Sequence, residues 1–101
     1  MTTDERVLHV LVVNTGWSTI AGIAAGLRVP RRDVESAIES LRLAGQPIVA
    51  GPAGVRYTTD ATELRQYATG RRRRLVSIAL GTRALLRAAR RLDTDQPSLG
   101  L

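Results

Sequence analysis

Residues 18–57 read STIAGIAAGLRVPRRDVESAIESLRLAGQPIVAGPAGVRY, and this stretch decides the fold of the chain. Its pattern predicts a helix, a tight turn, a second helix and a β-hairpin, in that order. Ser18 is expected to cap a helix that runs to Gly26, and Leu27–Val29 forms the turn. Pro30 then begins the next helix, where its fixed φ and missing N–H do least harm.

The helix predicted from Pro30 to Ala44 has the clearest periodicity. Its apolar residues recur at intervals of three and four, which places them on one face; they are Val34, Ala37, Ile38 and Leu41. Gly45 supplies the C-terminal stop. Two short extended runs, 47–50 and 55–58, flank Gly-Pro-Ala-Gly and predict a hairpin with a four-residue loop.

A further helix is predicted over Thr3–Val13, with Thr2 or Thr3 as its cap. Its apolar stripe consists of Val7, Leu8, Leu11 and Val12. Trp17 follows at the place of a short first strand and is expected to anchor the core. His9, the single histidine, lies inside this apolar helix, so a structural role is favoured over a catalytic one.

A last helix is predicted to begin after Asp60, which forms a capping box with Glu63. Its apolar positions then alternate in steps of four and three, which is typical of a coiled-coil seam. We define the seam as Leu64, Ala68, Arg71, Leu75, Ile78, Thr82, Leu85, Ala89 and Leu92, in which Arg71 and Thr82 are two polar interruptions. Gly70 and Gly81 are expected to weaken this helix and to mark a kink or break.

Charge is concentrated on that last helix. The chain contains 15 basic residues, all Arg, and its net charge is +6. Residues 59–92 carry nine Arg against Asp60 and Glu63, a net of +7, whereas residues 30–58 carry a net of only +1. At about 100° per residue, five arginines form a stripe well away from the seam: Arg65, Arg72, Arg83, Arg87 and Arg90. Such a basic small protein is a candidate for binding nucleic acid.

The composition excludes several classes of function. The chain has no Cys, which rules out disulfides, thiolate zinc sites and a cysteine nucleophile. No apolar run approaches the roughly 18 residues of a membrane helix. The sequence has no glycine-rich phosphate loop, metal-ligand spacing or nucleophile–base pair. We therefore expect a cytoplasmic, nucleoid-associated protein that is not an enzyme, has no cofactor or metal and does not bind a membrane.

The stretch from Thr3 to Thr58 resembles the winged helix-turn-helix DNA-binding proteins. The residues that carry the resemblance are Ile23–Ala25, Leu27–Glu35, Ile38, Leu41–Arg42, Ala44–Gly45 and Pro47–Ile48. The chain looks most similar to small winged-helix proteins of actinobacteria and their phages, in which a basic C-terminal helix follows a compact DNA-reading domain. The expected fold class is mainly α with a small β-hairpin: a winged helix-turn-helix domain at 1–58, a basic amphipathic helix at 59–92 and a disordered tail at 93–101.

The resemblance implies that the helix after Pro30 enters the major groove with its N-terminal half at the base edges. The residues expected to read bases are Arg31, Arg32 and Ser36. Those expected to contact the DNA backbone or form the wing are Arg28, Arg56, Arg72, Arg73, Arg83 and Arg87. The competing interpretation is that Arg31 and Arg32 are only solvated charges of a first helical turn.

The expected function is sequence-specific binding of double-stranded DNA by a homodimeric transcriptional regulator. One alternative is an architectural or excision-type factor with little sequence preference. Another is an interaction module that binds a host or partner protein. The last helix is compatible with pairing with itself through the seam, with binding a different partner, or with folding back on its own domain.

Overall fold

The computed structural model describes residues 1–95, which form four helices and one hairpin. The elements are α1 (Thr3–Val13), α2 (Ile20–Leu27), α3 (Arg31–Leu43), β1 (Ile48–Gly51), β2 (Gly54–Tyr57) and α4 (Ala61–Asp95). The described chain is thus mainly helical, with one small antiparallel hairpin and a long C-terminal helix, as predicted. It divides into two compact units after Tyr67, so the first turns of α4 belong to the first unit and that unit does not end at Thr58.

The start of α1 is fixed by a reciprocal pair of hydrogen bonds between Thr2 and Glu5. The Glu5 backbone N–H donates to Thr2 Oγ1 at 3.1 Å, and the Thr2 backbone N–H donates to Glu5 Oε1 at 3.3 Å. This capping box satisfies donors that have no partner within the helix. The predicted bounds of α1 and the choice of Thr2 as one of its possible caps are confirmed.

The cap of α2 is Thr19, and the prediction of Ser18 is wrong. Thr19 Oγ1 accepts a hydrogen bond from the Gly22 backbone N–H at 3.0 Å. Ser18 instead pairs with Val55, through its N–H to the Val55 carbonyl at 2.9 Å and the Val55 N–H to its own carbonyl at 2.8 Å. Ser18 therefore acts as a one-residue strand beside β2, a long-range pairing that local capping preferences do not reveal.

The core of the first unit forms where α1, α2 and the hairpin meet α3. It consists of Val7, Leu11, Ile23, Ala24, Val34, Ala37, Ile38, Leu41, Ile48 and Val55. The predicted buried face of α3 is confirmed in full. Val12, predicted to belong to the α1 stripe, is half exposed. It lies in the last turn of α1 beside the exposed Val13, so the buried stripe of this helix ends at Leu11.

Truncating this core is expected to destabilise the first unit. Leu11 is only 1% exposed, so Leu11→Ala removes buried methyl groups and leaves a cavity. We expect a loss of about 2–5 kcal/mol in the free energy of unfolding, measured by urea denaturation followed by circular dichroism. Val13→Ala, on the same helix but 66% exposed, is the control and should change stability by less than about 0.5 kcal/mol. Equal losses in the two variants would contradict the assigned core.

The loop of the hairpin is shorter than the sequence predicted. Gly51 and Gly54 face each other in the antiparallel ladder, so only Pro52 and Ala53 form the turn and the predicted four-residue loop is wrong. Gly54 has φ 124°, and a Cβ there would lie 2.2 Å from the Ser18 carbonyl oxygen. Glycine is required at this position because the Ser18 segment crosses directly over its backbone.

Replacing Gly54 and Gly26 by alanine should therefore have opposite effects on the stability of the first unit. Gly54→Ala forces a left-handed backbone and a clash with the Ser18 segment, and we expect it to destabilise the first unit by more than about 1 kcal/mol. Gly26→Ala meets no atom within 4 Å and lies in helix α2, so it should stabilise the unit by about 0.5–1 kcal/mol. Thermal unfolding of both variants measures the difference. A destabilised Gly26→Ala or a neutral Gly54→Ala would contradict the described backbone.

Helix α4 starts at the predicted cap but without the full capping box. Asp60 Oδ1 accepts from the backbone N–H groups of Thr62 at 2.9 Å and Glu63 at 3.4 Å. The Asp60 N–H, however, donates to Thr58 Oγ1 at 3.1 Å, because the Glu63 carboxylate is engaged by Arg56.

The predicted break of α4 at Gly70 or Gly81 is wrong. The helix is continuous from Ala61 to Asp95. One interior glycine costs a helix about 1 kcal/mol, and the Leu, Ala and Arg residues around Gly81 are strong helix formers. Residues 93–95 also belong to this helix, and the rest of the predicted disordered tail, 96–101, lies outside the described residues.

Candidate nucleic-acid interface

The side of α3 opposite its buried row is polar and exposed. Arg32 and Ser36 lie one helical turn apart on this side, and Arg31 lies in the same first turn. Neither Arg31 nor Arg32 has a hydrogen-bond or ion-pair partner among residues 1–95. Their guanidinium groups are available to an external acceptor.

The N-terminus of α3 adds backbone donors to these side chains. Its N-cap is Pro30, which supplies no side-chain hydrogen bond to the first turn. Arg28 lies two residues earlier, exposed, at the end of α2 in the left-handed conformation with φ 58°. Positive side chains and free N–H groups at a helix N-terminus together favour an anionic ligand such as phosphate.

Arg42, at the other end of α3, is occupied inside the first unit. Its guanidinium donates to the Ile48 carbonyl at 3.1 Å and to the Tyr67 hydroxyl at 3.0 Å, and it pairs with Glu39 at 2.8 Å. It also lies 5.3 Å from the centroid of the Tyr67 ring, a cation–π contact. Arg42 therefore ties α3 to β1 and to the start of α4. This role could not be predicted from the sequence, because the partner Tyr67 is 25 positions away.

Arg56 lies in β2, within the predicted wing, but its side chain contacts other residues of the first unit. Its guanidinium forms an ion pair with Glu63 and lies 4.7 Å from the centroid of the Trp17 ring. Trp17 is 42% exposed and covers Gly51 and Arg56, so the prediction that it anchors the core is wrong. Arg56 braces the hairpin against Trp17 and the first turn of α4, and the interface proposed below does not include it.

The internal role of Arg56 predicts a stability effect. We expect Arg56→Ala to lower the free energy of unfolding of the first unit by about 1–2 kcal/mol, because it removes the cation–π contact and leaves Glu63 unpaired. Thermal unfolding measures this loss. Affinity for duplex DNA should fall no more than about tenfold, as expected for one lost positive charge at low salt. A normal unfolding midpoint with strongly reduced DNA binding would contradict this assignment.

The second unit carries most of the charge of the protein. The proposed phosphate-contacting residues Arg72, Arg73, Arg83 and Arg87 are all exposed and have no partner among residues 1–95. No acidic residue occurs between Glu63 and Asp93, so this part of α4 contains no carboxylate of its own.

The seam is exposed as well. Its large apolar residues in the second unit are between 59% and 73% exposed; they are Leu75, Ile78, Leu85 and Leu92. Ala68 and Ala89 are exposed, whereas Leu64 is partly buried in the first unit. Helix α4 thus exposes apolar seam residues on one side, whereas Arg72, Arg83 and Arg87 lie elsewhere on its surface beside the exposed Val76 and Leu80.

No match was found. Comparison of the chain with protein-family models, with curated proteins and with solved structures gave no similar protein. Within residues 1–95, no helix is both long enough and apolar enough to cross a membrane. The same residues contain no group of three or more His, Asp or Glu side chains placed to hold a metal ion.

Proposed function

We propose that this protein is a sequence-specific double-stranded DNA-binding regulator that docks α3 in the major groove and acts as a homodimer. The observation that carries the proposal is the exposed, unpartnered pair Arg31 and Arg32, with Ser36, opposite the fully buried face of α3. A guanidinium fork matches the O6 and N7 acceptors of guanine, and a serine hydroxyl bonds either a base or a phosphate.

The arrangement of the first unit supports a winged helix-turn-helix. Helices α2 and α3 are joined by the three residues Arg28–Pro30, and the hairpin follows α3 directly. Ser18 pairs with β2, which adds the short first strand that accompanies such a hairpin. In this architecture the N-terminal residues of the second helix of the pair contact base edges.

The second unit would supply affinity for DNA that does not depend on the base sequence. Arg72, Arg73, Arg83 and Arg87 would lie against phosphates, with Arg28 contacting the backbone beside α3. Each neutralised phosphate releases condensed counterions from the duplex, which makes binding favourable and sensitive to salt. In the same proposal the seam joins two copies of the chain.

A second candidate function is favoured by the distribution of charge. Residues 59–92 carry a net charge of +7, whereas residues 30–58, which include α3, carry only +1. A protein whose positive charge lies mainly outside the base-reading helix suits an architectural factor that coats or bends DNA with little sequence preference. The two candidates differ in whether Arg31 and Arg32 discriminate between sequences.

The test of DNA binding itself is a fluorescence anisotropy titration at 50 and 150 mM salt. The probes are a labelled 30-base-pair duplex of random sequence, the corresponding single strand and a labelled acidic polypeptide of similar charge. We expect the duplex to bind with a Kd of about 10⁻⁴ to 10⁻⁶ M at 150 mM salt, the range of non-specific binding. The duplex should bind more tightly than either other probe. An absence of duplex binding at 50 mM salt would contradict both candidates and favour a protein partner.

A further inference from the structure

The seam of α4 consists of two rows that differ in side-chain size, and all of their residues except the partly buried Arg71 are exposed. One row repeats every seven residues and is mostly short: Ala68, Leu75, Thr82 and Ala89. The other repeats with the same interval and is uniformly long: Arg71, Ile78, Leu85 and Leu92. Both rows lie wholly in the second unit. Because the rows differ in size, the direction in which a second helix runs decides whether short residues meet short or long ones.

We propose that the second unit pairs with the same segment of a second copy of this chain in an antiparallel coiled coil centred near Leu80. In antiparallel pairs, the residues of one seam row face those of the other row. In this register Ala68 faces Leu92, Leu75 faces Leu85, Thr82 faces Ile78 and Ala89 faces Arg71. Every short side chain then meets a long one, so each layer of the interface is filled.

The antiparallel direction also separates like charges that a parallel pair would oppose. In a parallel, in-register pair, Arg71 would face Arg71 of the second copy across the seam, and desolvating two facing guanidinium groups is costly. Ala68 and Ala89 would each face their own copies and leave underfilled layers. Opposite Ala89, the long Arg71 side chain can instead pass over a small residue and keep its charged end in water.

Charges at the ends of the pair are complementary. Asp93 is the first acidic residue after Glu63 along α4. In the proposed register it lies within one turn of Arg65 of the second copy, on the same edge of the seam. Leu64 takes no part in the register, which agrees with its partial burial in the first unit.

The register sets the distance between the two points where the second units begin. Ala68 of each chain lies opposite Leu92 of the other chain. The two Ala68 residues are therefore separated along the axis of the pair by the length of 24 helical residues, about 36 Å at 1.5 Å per residue. The pairing itself does not rest on the proposed DNA binding, although it would form the homodimer of that proposal.

Cysteine cross-linking tests the register directly, because the chain has no cysteine of its own. The variants Leu75→Cys and Leu85→Cys are made separately, and each is oxidised by glutathione disulfide, alone and mixed, in 0.5 M NaCl. We expect a mixed disulfide dimer from Leu75→Cys with Leu85→Cys and almost none from either alone. In the antiparallel register, identical positions are about 15 Å apart, beyond the reach of a disulfide.

A second pair of variants, Ile78→Cys and Thr82→Cys, repeats the mixed-disulfide test one layer closer to the centre. Identical positions there are only about 6 Å apart along the axis, so the preference for the mixed dimer should be smaller than for Leu75→Cys with Leu85→Cys. All four positions are exposed in the single chain, so the variants should fold, and circular dichroism is the check on each of them. Efficient disulfide formation by Leu75→Cys alone would overturn the antiparallel direction. A mixture of Leu75→Cys with Leu85→Cys that forms no dimer, with and without a 30-base-pair duplex, would overturn the pairing.

The same samples distinguish this proposal from the proposed function. A mixed disulfide dimer that binds no duplex would support the pairing and contradict the regulator. Tight duplex binding by chains that never form the mixed disulfide would overturn the pairing and leave DNA binding intact.

Discussion

Replacing Arg31 and Arg32 together by alanine is expected to abolish the preference of this protein for its best DNA site. Each bidentate contact between a guanidinium group and guanine contributes about 1–3 kcal/mol of discrimination. Two such contacts correspond to about 30-fold to 10⁴-fold between the preferred site and a random duplex. Val34, Ala37, Ile38 and Leu41 hold α3 in place, so the double variant should fold normally.

The control for this prediction is Arg90→Ala with Arg91→Ala. This control also removes two positive charges, but from exposed positions near the end of α4. We expect it to weaken binding to every duplex by a similar factor and to leave the ratio between specific and random sites unchanged. Competition titrations with both duplexes measure that ratio. If Arg31→Ala/Arg32→Ala also lowers both affinities equally, α3 does not read sequence and the architectural candidate is favoured.

Raising the salt concentration from 50 to 200 mM is expected to weaken DNA binding by about 10³-fold to 10⁵-fold, if six to ten phosphates are neutralised. The arginines of the second unit account for much of this dependence. Replacing Arg72, Arg73, Arg83 and Arg87 by glutamine should reduce the slope of log K against log salt by about 3.6, since each contact contributes about 0.9.

The matched control replaces the same four arginines by lysine. Lysine keeps the charge and a similar helix propensity, so this variant should retain the salt slope of the natural chain. Anisotropy titrations at four salt concentrations give all three slopes. An unchanged slope in the glutamine variant would show that these side chains do not contact phosphates. A slope lost equally in the lysine variant would indicate a role other than charge.

The fold of the first unit was largely predictable because its signals are local. The spacing of Val34, Ala37, Ile38 and Leu41 predicts the buried side of α3, and Gly45 ends that helix with φ 91°. The boundaries of α1 follow from Thr2 and the apolar residues after it. Periodicity and capping depend on neighbouring residues, so a single sequence contains the information needed for them.

Features that depend on distant residues were not predictable. Ser18 and Thr19 are both acceptable caps, and only the pairing of Ser18 with Val55 leaves the cap to Thr19. The engagement of Arg56 by Glu63 and Trp17 likewise joins three separate elements. In the candidate interface, the exposure of Arg31 and Arg32 follows from helical periodicity, whereas the internal use of Arg42 and Arg56 required the structure.

The most direct test of the central claim is selection of bound duplexes from a random pool at about 150 mM salt, with Arg31→Ala/Arg32→Ala run beside the natural chain. We expect an enriched motif with two inverted half-sites for the natural chain and no enriched motif for the double variant. Enrichment of the same motif by both proteins, or binding without any motif, would contradict sequence reading by α3.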